Sequence, residues 1–228
     1  MRKFDNYLYP FSMMIILITL LSCATGYNKH ADQYYEEGLL FYERMEYERS
    51  IESFDRVLEL APYGKDNKVV YFNRGMAHLK NRQYNKSVYD FTKASELTSV
   101  GDKELRFDIL AFRGEAYQKD NEFDYAIKDY SDAIQLNPKH KNIKHIYSSR
   151  AWVWFGKGDH TMSINDFGKA IMIDPELDAA YYGRATVWFK IKDFERALAD
   201  AKEAAKLKPT NKKYEDLLFS IKSSMNQK

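Results

Sequence analysis

The chain repeats itself. Five segments align on one pattern of small and apolar residues: "YYEEGLLFYERMEYERSIESFDRVLELAP", "YFNRGMAHLKNRQYNKSVYDFTKASEL", "LAFRGEAYQKDNEFDYAIKDYSDAIQLNP", "YSSRAWVWFGKGDHTMSINDFGKAIMIDP" and "YYGRATVWFKIKDFERALADAKEAAKLKP". One small residue recurs at Gly38, Gly75, Gly114, Ala151 and Ala185, and a second at Ser50, Ser87, Ala126, Ser163 and Ala197. Apolar residues around them recur at helical spacing, so each segment reads as two helices whose backbones approach at the small residues. One helix pair cannot bury its apolar face alone, and stacked neighbours make one continuous core. This pattern excludes most fold classes at once: the chain is expected to be all-α.

The small-residue pattern resembles the tetratricopeptide repeat, whose period is about 34 residues. Four of the five segments close on the expected proline, at Pro62, Pro138, Pro175 and Pro209, and the second ends in Thr98-Ser99 instead. The resemblance implies a right-handed superhelical solenoid of about five repeats over residues 31–211, starting near 31, 68, 107, 144 and 178. Phe41, Tyr117, Trp154 and Trp188 are expected to fill space beside the small residues. After Pro209, Tyr214, Leu217, Leu218 and Ile221 share one helical face, which predicts a capping helix within residues 212–228.

Comparing the repeats with each other exposes a second pattern. Arg74, Arg113, Arg150 and Arg184 precede the small residue, and Asp90, Asp129, Asp166 and Asp200 stand at one matching place in the second helix. Repeat one has Glu37 and Ser53 there, so both members are missing together. Four inter-helix Arg–Asp pairs that set register are expected. The repeats are spaced by 37, 39, 37 and 34 residues. Longer first helices, as "DKELRFDILAF" suggests, or longer loops would absorb the excess.

The N-terminus has the layout of an export signal. Arg2 and Lys3 precede an apolar run from Phe11 to Leu21, too short to span a bilayer, which needs about 20 residues. Leu20-Leu21-Ser22-Cys23 resembles the lipobox of bacterial lipoproteins, and Cys23 is the chain's single cysteine. The resemblance implies a signal peptide over residues 1–22, diacylglycerylation of Cys23 and a tether over residues 23–30. Acyl chains would then hold the protein on a membrane. Ala24 after the cysteine implies the outer membrane facing the periplasm, by the sorting rule of enteric bacteria. The alternatives are an ordinary cleaved signal or an uncleaved signal anchor, with an incidental cysteine.

Net charge is +2 with 35 basic and 33 acidic side chains, which lacks the basic excess of a nucleic-acid binder. One cysteine excludes an internal disulfide and any multi-thiolate zinc site. The five histidines, His30, His78, His140, His145 and His160, show no metal-ligand spacing. "GKGD" at residues 156–159 reads as a helix connection rather than a phosphate loop. No catalytic residue, metal site or cofactor is expected.

The tetratricopeptide resemblance places the binding surface on the concave face of the first helices. Carried over, its groove residues are Tyr35, Leu39, Tyr42, Phe72, Met76, Leu79, Glu115, Gln118, Lys119, Trp152, Phe155, Tyr182 and Phe189. That is an apolar groove with a polar middle, suited to an apolar peptide or an amphipathic helix; some of its rings could instead pack on neighbouring helices. Some tetratricopeptide proteins clamp a chaperone's C-terminal carboxylate with Lys and Asn residues. The matching places here hold Tyr35, Leu39, Asn73, Asp108 and Phe112, and only Asn73 fits. The expected function is a non-catalytic, membrane-anchored adaptor for assembly of a cell-envelope complex. The alternatives are self-association into a homodimer, or a signal-anchored co-chaperone.

Overall fold

A computed structural model describes residues 29–226. It is all-α, with eleven helices and no strand among the described residues. They fall into two compact units, residues 29–137 and 138–226. The first unit holds three helical hairpins: α1 (Lys29–Glu43) with α2 (Tyr47–Leu60), α3 (Asn67–Lys80) with α4 (Tyr84–Leu97), and α5 (Lys103–Lys119) with α6 (Phe123–Leu136). The second holds α7 (Ile143–Lys157) with α8 (His160–Ile173), α9 (Asp178–Lys190) with α10 (Phe194–Leu207), and α11 (Lys212–Met225). Cys23 and the expected signal peptide lie outside the described residues.

Each hairpin of the first unit closes on a glycine facing a ring. Gly38 lies under Phe54, Gly75 under Phe91 and Gly114 under Tyr130, and a Cβ at Gly38 would stand only 2.7 Å from the Phe54 ring. The three rings are fully buried, each contributing roughly 1.5–3 kcal/mol of apolar transfer. The serine of the second helix does more than stay small. Ser50 Oγ donates to the Gly38 carbonyl and Ser87 Oγ to that of Gly75, both at 2.8 Å. In the second unit Ser163 Oγ donates to the Ala151 carbonyl, also at 2.8 Å. Each such buried bond adds about 1 kcal/mol and fixes one helix against the other.

The hairpin turns share a device that the sequence hides. Met45, Arg82, Asn121 and Lys192 have φ between 60° and 64°, and Gly158 has φ of 88°. Each occupies the same place in its own hairpin, seven residues after the small residue. Only one of the five is glycine, although a left-handed residue costs about 1–2 kcal/mol when it carries a Cβ. Gly158→Ala is therefore expected to lower stability by about 1 kcal/mol. Lys192→Gly is expected to raise it, and urea melts of both variants check the pair.

The excess spacing divides between helix and loop. Connections of six residues (61–66), five (98–102), six (137–142) and four (174–177) join successive hairpins. α5 runs for 17 residues against 13 in α9, its N-terminus capped where Asp102 Oδ1 accepts from the Leu105 amide. α11 covers the last hairpin of the second unit. Its buried Ile221 meets Ala185, Ala197 and Ala201, and the Tyr214 hydroxyl donates to Asp178 at 2.6 Å. Leu217 and Leu218 pack partly buried against the same cluster.

Candidate protein-interaction surface

Four arginines bind four aspartates with two hydrogen bonds each. In the first unit Arg74 donates to Asp90 at 2.8 and 2.6 Å, and Arg113 donates to Asp129 at 2.7 and 2.8 Å. In the second, Arg150 donates to Asp166 at 2.7 and 2.9 Å, and Arg184 donates to Asp200 at 2.8 and 2.9 Å. The planar guanidinium matches a carboxylate in this fork geometry, which fixes orientation as well as distance. A third donor of Arg74 crosses to Asp55 on α2 at 2.6 Å, and that of Arg113 crosses to Thr92 on α4 at 3.2 Å. Each of these two pairs thus ties its own hairpin together and joins it to the preceding one. Their aspartates are buried, and the pairs belong to the scaffold.

The inner positions of the first unit lie on α1, α3 and α5. Tyr35, Leu39, Tyr42, Met76, Gln118 and Lys119 are half-buried there. Tyr35 accepts a hydrogen bond from Asn73 Nδ2 at 2.9 Å, and burial pushes its hydroxyl up to about 12. Gln118 accepts from the Tyr130 hydroxyl at 3.1 Å. Phe72, Leu79 and Glu115 correct the expected groove: they are 5%, 4% and 7% exposed and offer little surface to a partner. Phe72 is held between Phe91 and Phe112, with ring centroids 5.6 and 5.7 Å away. For Phe72 and Leu79 the reason is position: α3 has a first helix on either side of it, α1 and α5, whereas α1 meets one first helix only.

The burial of Glu115 is not signalled by the sequence. No hydrogen bond or ion pair reaches its carboxylate among the described residues. Burial pushes its pKa above the ordinary 4.5, while Lys80 and Lys119 pull it down. Such a group favours folding while protonated; that contribution is complete below 4.5 and is lost as pH rises through the raised value. Glu115→Gln should therefore gain stability relative to the natural chain at about pH 7.5, because the amide has no charge to bury. The advantage should fade toward about pH 4, and melting curves across that range check it.

In the second unit the inner rings of α7 and α9 pack on one another. Trp152 stands edge-on to Phe167 and Phe155, with centroids 5.3 and 5.8 Å away, and lies 6.5 Å from Tyr182. Tyr182 in turn meets Tyr214 of α11 at 5.0 Å, and Phe189 meets Phe194 at 5.9 Å. Trp152, Phe155, Tyr182 and Phe189 all remain half-buried, so ring surface reaches solvent along this face. The opposite seam of the hairpins is closed by cation–π contacts, with Arg49 3.9 Å from the Phe41 ring centre and Arg196 3.8 Å from that of Trp188. Among the described residues no three metal-ligating side chains cluster, and no helix is long and apolar enough to cross a membrane.

Residues 107–140, which hold α6 and all of α5 after its first four residues, match the family model of the tetratricopeptide repeat. That stretch is a tetratricopeptide repeat. The tetratricopeptide fold extends beyond it. A tetratricopeptide repeat protein from Parabacteroides merdae superposes with a TM-score of 0.73 at 15% identity, over 87% of this chain and 75% of that one. YrrB, described as a TPR protein with an unusual peptide-binding site, gives a TM-score of 0.64 at 19% identity, over 85% of this chain and 92% of its own. By sequence, the Hsp70-Hsp90 organizing protein 3 of Arabidopsis thaliana is 29% identical over 104 residues, 46% of this chain and 18% of that protein. The chain thus spans less than a fifth of that curated relative's length.

Proposed function

We propose that this chain is a non-catalytic adaptor that takes an apolar protein segment on the inner faces of its first helices. The observation that carries this reading is made in each unit by itself: half-buried apolar and aromatic side chains on the first helices, Tyr35, Leu39, Tyr42 and Met76 in the first and Trp152, Phe155, Tyr182 and Phe189 in the second. Apolar surface of this kind, with aromatic anchors, is what protein interfaces use. YrrB, which shares the fold, is described as having a peptide-binding site. The likeness to an Hsp70-Hsp90 organizing protein raises a chaperone-linked role. Against a carboxylate clamp, the matching positions hold a single amide, Asn73, and that amide already donates to Tyr35.

The test compares two double variants in affinity capture after crosslinking in native membranes. Leu39→Ala with Met76→Ala should reduce partner recovery at least about tenfold, since truncating interface anchors typically costs more than 1 kcal/mol each. Tyr89→Ala with Tyr125→Ala, both 56% exposed on second helices, should leave recovery unchanged. The opposite outcome would place the binding surface on the second helices. A strict monomer across concentrations would dismiss the self-associating alternative.

The lipobox-like Leu20-Leu21-Ser22-Cys23 supports a further part of the reading. Cys23 carries the acyl chains that hold the adaptor on a bacterial envelope membrane, the outer one on the strength of Ala24, facing the periplasm. Fed a labelled fatty acid, cells producing the natural chain should yield labelled protein, and Cys23→Ala cells none. Equal labelling would remove the anchor.

A further inference from the structure

We propose that the first unit rests on a lipid surface through the edge where its hairpins are joined, with Tyr63 and Val100 entering the headgroup layer. The proposal rests on the reading of Cys23 as acylated. Helix direction defines this edge: α1 starts there, α2 and α4 end there, and the connections 61–66 and 98–102 cross it. Ala31, in the first turn of α1, shares a packed cluster with Val57, Leu58 and Ala61 at the end of α2. The Lys68 ammonium at the start of α3 lies 3.4 Å from Asp102 in the next connection, so the two connections run side by side. Cys23 stands six residues before Lys29, a reach of at most roughly 20 Å even for extended chain. The hairpin turns lie a helix length away, about another 20 Å. Acyl chains on Cys23 therefore bring the connection edge to the bilayer first.

The two edges of the unit differ in what they expose. At the connections Tyr63 is 96% exposed and Val100 80%, and Leu60 and Leu97, the last residues of α2 and α4, are exposed beside them. At the opposite edge, the turns 44–46, 81–83 and 120–122 hold Met45 among side chains that are all charged or amides. Tyrosine suits a bilayer interface, with its ring against acyl carbons and its hydroxyl in water. Charge does not oppose the contact. Asp102 is paired with Lys68, and exposed Lys65 and Lys103 offset Asp66 and Glu104, so no net charge repels an anionic headgroup layer. Insertion of a few side chains is weak alone, but a tethered edge meets the surface at high effective concentration. The acyl chains attach the protein and the edge orients it: α1, α3 and α5 stand end-on to the bilayer, and their inner face opens sideways.

Lipid quenching of single labelled sites tests this on the full chain. Acylation uses the natural thiol, so Tyr63→Cys, Val100→Cys and Met45→Cys each add one reactive thiol to protein purified from membranes. Each is labelled with bimane and reconstituted into vesicles of phosphatidylethanolamine and phosphatidylglycerol, with or without bromine on the acyl chains. Bromine should lower emission from positions 63 and 100 at least about twofold, as expected for groups buried about 5–10 Å into the headgroup and acyl boundary. Emission from position 45 should not change. Protein that floats with the vesicles but is unquenched at 63 and 100, or equally quenched at 45, would overturn the proposal and leave the acyl anchor standing. Protein that carries no acyl chain and does not float would remove both. A protein adduct from a benzophenone amino acid at position 63 in cells would give the edge to a protein partner, and would overturn the proposal as well.

Discussion

Asp129→Ala will lower the stability of the protein by about 3–5 kcal/mol, the range for removing one partner of a buried ion pair. The Asp129 carboxylate is 4% exposed and takes both hydrogen bonds of the Arg113 fork. Arginine is protonated at neutral pH with or without a partner, so Arg113 stays charged when Asp129 is removed. Only the Thr92 hydroxyl then remains to it among the contacts within the unit. Arg113→Met combined with Asp129→Leu should recover most of the loss, because the damage comes from the orphaned charge rather than from absence of the pair. Urea unfolding of the single and double variants measures both. Equal stabilities for Asp129→Ala and the natural chain would mean that these pairs contribute nothing to register.

Phe91→Ala should cost about 3–5 kcal/mol, through lost transfer energy and the cavity left behind. Phe91 is 0% exposed and touches Phe72 and Phe112, with centroids 5.6 and 6.2 Å away. It also fills the space that Gly75 opens by having no Cβ. Helix backbones on both sides limit collapse, which favours the upper part of the range. Phe91→Leu should cost less, and thermal melts of the two variants separate volume from ring chemistry. Phe72 and Phe112 sit on first helices, so loosening this cluster will also loosen the inner face.

The fold was legible because its signals recur. Each hairpin spaces its two small residues by the same twelve positions, and that constancy reports two backbones in contact. The Arg and Asp of four repeats keep one separation as well, which can be read by comparing the repeats with each other. Other features left no such trace. The serine hydroxyls that reach Gly38, Gly75 and Ala151 look in sequence like small residues, and Ala126 and Ala197 fill the same role without them. Left-handed turns at Met45, Arg82, Asn121 and Lys192 carry no glycine to announce them. A turn fixed by the two helices it joins does not need one, and tertiary packing overrides local preference there.

The site was less legible for a related reason. Helical spacing assigns a residue to a face, but exposure depends on what lies to either side. Tyr35 and Phe72 hold equivalent positions on α1 and α3, yet Phe72 is buried between two rings while Tyr35 stays half-exposed. Glu115 reads in sequence as an open polar position in the middle of a groove. The neighbouring helices enclose it, and that enclosure removes it from the open groove and raises its pKa.

The central claim is that the inner faces of the first helices capture a protein segment. Photo-crosslinking from defined positions tests it most directly. A benzophenone amino acid placed at Met76 on α3, and separately at Tyr89 on α4, would be irradiated in cells producing the full chain. The account predicts a discrete protein adduct from position 76 that disappears with Leu39→Ala, and none from position 89. An adduct from position 89 with none from position 76 would contradict it.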